Sequence, residues 1–92
     1  MELSEIRNRI DAIDEPLLDL FLERMALCRE VAEYKKGNNL PVMNEKRERE
    51  ILEKVVYKSG DLAEYAKSFY STIFELSRSY QKEIISNQEK LL

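Results

Sequence analysis

Histidine is missing from all 92 residues, and Cys28 is the only cysteine. These two shortages exclude an intramolecular disulfide, Cys–His or Ser–His–Asp catalysis, and zinc sites built from Cys and His. Any chemistry must run on carboxylates, Lys, Arg, Tyr, Ser, Asn and Gln. Glycine and proline occur twice each, so few positions invite tight turns. No apolar run approaches the ~18 residues of a membrane span. The net charge of -3 and pI of about 5.1 lack the basic balance of a nonspecific nucleic-acid binder. The opening Met1-Glu2-Leu3-Ser4-Glu5 is acidic and has no apolar signal core. The expectation is a cytoplasmic protein that engages neither nucleic acid nor membrane.

What the sequence does contain is 43% hydrophobic and 36% charged residues, rich in Leu, Ile, Glu, Lys and Arg, the mixture that soluble helices use. Without internal repeats or low-complexity tracts, it reads as a single all-α domain over residues 1–92, with helices at about 3–36, 44–59 and 62–86. In the first segment Leu3, Ile6, Ile10, Ile13, Leu17, Leu20, Leu27, Val31 and Tyr34 recur in steps of three and four, a heptad seam. Gly37-Asn38-Asn39 closes it, because Gly and Asn readily take the left-handed conformation at a helix end. Pro16 has no N–H and crowds the carbonyl of Ala12, so the helix should kink or split there, with Asp14 available as a new cap. The seam keeps its phase across the proline, which favours one long kinked helix.

Leu40-Pro41-Val42 reads as an extended connector, and Asn44 as the N-cap of a second helix ending before Gly60. Asp61-Leu62-Ala63-Glu64 has capping-box spacing for a third helix. Its expected buried stripe is Leu62, Tyr65, Phe69, Ile73, Leu76, Tyr80 and Ile84, with fraying after Ser86. A first helix of this span is roughly 50 Å long at 1.5 Å per residue. A compact chain of this size has a radius of gyration of only ~12 Å. Two shorter helices cannot cover such a seam, so a second copy of the chain is expected to do so.

Several polar residues interrupt the apolar pattern. Arg24 falls at the seam position otherwise held by Leu3, Ile10, Leu17 and Val31. A guanidinium there needs an acid or an anion; an interhelical salt bridge that fixes register is the plain explanation. Lys35 lies three turns further on, within about 20° of the same direction, although a lysine at a helix end also simply favours the dipole. Arg7 is ~26 Å up the helix from Arg24 and cannot share a small ligand with it in one chain. In an antiparallel dimer the partner's Arg7 could. Asn44, Arg47 and Glu48 open the second helix in a stretch that resembles an ordinary salt-bridged face. Ser77 and Gln81, four apart, border the stripe of the third helix and need hydrogen-bond partners if buried.

Taken in order, Arg7, Asp14, Glu23-Arg24, Lys35, Pro41-Val42, Arg47-Glu48, Ser77 and Gln81 closely resemble the pattern of all-helical chorismate mutases from about Leu3 to Gln81. The resemblance implies three-helix chains interlocked into a homodimer and a Claisen rearrangement of chorismate to prephenate in phenylalanine and tyrosine biosynthesis. It implies no cofactor and no metal. Arg24 and the partner's Arg7 would hold the substrate carboxylates. Lys35 and Gln81 would donate to the ether oxygen, and Glu48 would accept from the ring hydroxyl and help orient Lys35. Ser77 and Arg47 would support a carboxylate and its charge network. Asn44 departs from the family pattern, since many relatives carry Asp there, and its amide oxygen is a weaker acceptor for the hydroxyl. Pro16 is unusual within the long helix.

Two other readings compete. An isochorismate-pyruvate lyase on the same fold would use the same cationic cradle, although Arg47 and Glu48 fit the mutase pattern better. A non-catalytic helical dimerisation or regulatory module would pair Arg24 with an internal carboxylate and leave no cavity. Domains of the resembled family often accompany other aromatic-pathway enzymes, and a stand-alone copy can work in complex with one.

Overall fold

The computed structural model describes the backbone of residues 1–90 and the side chains of residues 1–87. Helix α1 spans Leu3–Gly37, α2 spans Glu45–Ser59, a short 3-10 turn covers Gly60–Leu62, and α3 spans Ala63–Lys90. The described residues form no strand. None of these helices is long and apolar enough to cross a membrane.

Helix α1 runs through Pro16 as one helix, so Asp14 does not start a second one. Proline removes one backbone hydrogen bond. The carbonyl it frees belongs to a turn around Ala12 that is exposed, where water can satisfy it. At the far end Asn39, not Gly37, takes the left-handed conformation, with φ 55°. The N–H groups of Asn38 and Leu40 donate back to the carbonyls of Tyr34 (3.1 Å) and Lys35 (2.8 Å), closing the last turn.

Asn44 caps α2 as expected, its side-chain oxygen accepting from the Arg47 N–H at 3.1 Å. The start of α3 differs from expectation. Gly60 turns the chain at φ 54°, a conformation that costs other residues dearly. Asp61 then lies within the 3-10 turn and makes no capping hydrogen bond among the described residues. Helix α3 also continues past Ser86 to Lys90, consistent with the ordinary helix propensity of the residues there.

Helix α3 is the common partner of α1 and α2. The core is small: its buried apolar residues are Cys28 and Ala32 of α1 and Ile73, Phe74 and Ile84 of α3, among the described residues. Of the stripe expected to be buried on α3, Ile73 and Ile84 are, whereas Leu62, Tyr65, Phe69 and Leu76 are exposed. The whole seam of α1 is uncovered too, from Ile6 at 41% exposed to Tyr34 at 65%. The reason is geometric. The chain extends over 58 × 27 × 14 Å with a radius of gyration of 16.8 Å, against about 12 Å for a compact domain of its length. It exposes 7680 Å², whereas a compact monomer of the same mass exposes about 5,600 Å².

Candidate active site

The last four turns of α1, the first two turns of α2 and the middle of α3 line a cavity of about 380 Å³. Each helix supplies its polar residues for a local reason. Arg24, Cys28, Val31 and Lys35 follow one another at four, three and four residues on one face of α1. The cap at Asn44 fixes the direction of α2, which brings Arg47 and Glu48 to the same space. On α3, Phe74, Ser77, Arg78 and Gln81 share the face turned toward α1 and α2.

The polar contacts are specific. Lys35 Nζ donates to the Val42 carbonyl at 2.5 Å, tying the end of α1 to the connector. Gln81 Nε2 donates to Ser77 Oγ at 3.0 Å, and Ser77 Oγ lies 2.9 Å from Cys28 Sγ. Gln81 and Ser77 are both buried, at 5% and 8% exposed. Gln81 Oε1 has no partner among the described residues. A 180° rotation of the amide lets the Ser77 hydroxyl donate to Oε1 and turns the nitrogen to the vacant position. In either orientation Gln81 has hydrogen-bonding capacity left for a ligand. Arg24 makes no ion pair among the described residues: Nη1 lies 3.8 Å from Cys28 Sγ, and its guanidinium carbon is 6.0 Å from the centre of the Phe74 ring.

Seven residues singled out in the sequence therefore come together here: Arg24, Lys35, Asn44, Arg47, Glu48, Ser77 and Gln81. Arg7 does not. It is exposed, five turns up α1 from Arg24. Glu48 also differs from expectation, because Arg78 holds it rather than Lys35, with Nη1 2.6 Å from both carboxylate oxygens.

Arg78 was not singled out in the sequence. A signal existed nonetheless, since Arg78 lies four residues after Phe74 and three before Gln81 and so shares their face. Among the residues lining the cavity, four cations (Arg24, Lys35, Arg47, Arg78) surround one carboxylate, Glu48. Such a space suits a small polyanion, held by charge-assisted and bidentate hydrogen bonds. With no histidine available, it can act by fixing conformation and by donating hydrogen bonds to developing negative charge.

Residues 6–82 match the family model described as chorismate mutase type II. A chorismate mutase from Methanocaldococcus jannaschii is 29% identical over 91 residues, covering 96% of this chain and 92% of that protein. A bifunctional chorismate mutase/prephenate dehydratase from Aquifex aeolicus is 47% identical over 55 residues, 60% of this chain but 15% of that protein. One of the same description from Enterobacter agglomerans is 33% identical over 86 residues, 90% of this chain and 22% of that protein. The chain thus spans only a small part of the bifunctional relatives. No solved structure matches it.

Proposed function

This chain belongs to the chorismate mutase type II family, and from that premise we propose that it rearranges chorismate to prephenate as an intertwined homodimer of single-domain, three-helix chains. The observation that carries this reading is Arg24: a guanidinium without an ion pair among the described residues, facing a cavity whose walls include Lys35 and Gln81. A dimerisation module would neutralise Arg24 internally and fill the space.

The reaction breaks an ether C–O bond as a C–C bond forms within one molecule, so it needs no nucleophile and no proton acceptor. The residues act by holding and by stabilising charge. Arg24 and the partner's Arg7 bind the two carboxylates, with Arg47 and Ser77 supporting that network. Lys35 and Gln81 donate to the ether oxygen, where negative charge accumulates; such preorganised donors contribute ~3 kcal/mol each in a dry site. Glu48 and Asn44 accept from the ring hydroxyl. Clamping the flexible substrate in its compact conformer removes an entropic part of the barrier.

The dimer is supported by the uncovered seam. The chain exposes about 2,100 Å² more than a compact monomer would, which is ample for one side of an obligate homodimer interface. An antiparallel pairing of α1 helices brings the partner's Arg7 toward Arg24. Prephenate formed here would enter phenylalanine and tyrosine synthesis, in the cytoplasm, and a complex with another enzyme of that pathway is in keeping with the fused relatives.

Co-expressing Arg7→Ala with Arg24→Ala chains tests the shared site. Each variant homodimer should be inactive. A mixed dimer regains one intact site, because its two lesions fall together in the other, so random pairing should restore roughly a quarter of wild-type activity. Mixed dimers as inactive as the parents would remove the cross-chain arginine from the proposal.

A further inference from the structure

We propose that Arg78 is a positioning residue that anchors Glu48 on the cavity wall, holding its carboxylate for the substrate's ring hydroxyl and away from the Lys35 ammonium. The proposal rests on the mutase reading above and adds a residue to it. Arg78 and Glu48 are joined at 2.6 Å, and their side chains are only 23% and 21% exposed. A pair this sheltered is screened far less than a surface ion pair. It also links α3 to α2 across thirty residues of sequence.

Glu48 has competing cations close by. Lys35 and Arg47 line the same cavity, and a carboxylate released by Arg78 would turn to one of them. Capture by Lys35 would neutralise the ammonium and occupy an N–H needed at the ether oxygen. In the arrangement observed, Lys35 spends one donor on the Val42 carbonyl and keeps two. Glu48, although it receives Arg78 on both oxygens, retains lone pairs that can accept from a hydroxyl. Arg78 thus acts on the substrate through Glu48.

A double-mutant cycle separates this role from direct substrate binding. The split between kcat and KM, together with an analogue lacking the ring hydroxyl, separates it from a purely structural tie. In a working wild-type enzyme, Arg78→Met should lower kcat for chorismate by about tenfold or more, with a smaller rise in KM. In a Glu48→Gln background the same change should cost less than about twofold, because the group it positions has gone. Arg78→Lys should recover part of the loss, and the same cycle run with this milder change decides between the roles if Arg78→Met does not fold. For a substrate analogue lacking the ring hydroxyl, the fall in kcat should shrink to the part that acts through Lys35. Losses that add in full across the cycle would overturn the proposal, as would wild-type kcat in a folded Arg78→Met enzyme. Either result would leave the mutase reading standing, whereas absence of wild-type turnover would remove both.

Discussion

Replacing Gln81 by Glu turns an unconditional hydrogen-bond donor into one that donates only when protonated. Gln81 is 5% exposed and lines the cavity with Arg24 and Lys35. An ordinary glutamic acid titrates near ~4.3. Above its pKa the side chain donates nothing and repels the charge that develops on the ether oxygen; below it, the carboxyl donates much as the amide does. Losing one such donor costs on the order of 10²- to 10³-fold in rate. Burial raises the new carboxyl's pKa and the neighbouring cations lower it, so their balance sets the midpoint but not the direction. The variant's kcat, divided by that of wild type at each pH, should therefore climb about tenfold per unit as pH falls, over two to three units in all. Initial rates of chorismate loss from about pH 4 to about pH 8 supply the ratio, which cancels titrations common to both proteins. A ratio independent of pH would refute the ether-oxygen role of Gln81.

Three further outcomes are expected. Gly60→Ala places a Cβ at φ 54°, where nothing lies within 4 Å, so its cost is conformational rather than steric. It should destabilise the protein by about 1–3 kcal/mol; an unchanged urea midpoint at fixed protein concentration would count against this. Asn44→Ala loses the cap on Arg47 N–H and should cost about 1 kcal/mol in the same assay. Asn44→Asp keeps the cap and offers a stronger acceptor to the ring hydroxyl, so KM should fall with kcat little changed. A KM that rises in Asn44→Asp would exclude that contact.

The parts of the fold that follow from periodicity and capping were legible. The seam of α1 and the cap at Asn44 are local patterns, and Arg24 stood out because it broke one of them. What required the structure depended on distant partners or on conformations open to several residues. Asn39 rather than Gly37 takes the left-handed turn, a choice between neighbours that propensity does not decide. Asp61 lost its expected cap because Gly60 made the turn one residue earlier. Leu62, Tyr65, Phe69 and Leu76 carry a helical apolar period, yet this chain has too little surface of its own to bury them. Arg78 was hidden for a different reason. Its partner Glu48 lies thirty residues away on another helix, so no local pattern announces the pair.

The cationic cradle is tested most directly by following chorismate absorbance on adding the purified protein, with the product identified after acid treatment and Arg24→Ala measured alongside. Saturable conversion to prephenate that disappears in a folded Arg24→Ala variant is the expected result. A folded wild-type dimer that leaves chorismate unchanged, or an Arg24→Ala variant that turns it over at the wild-type rate, would show that the cavity does not do this chemistry.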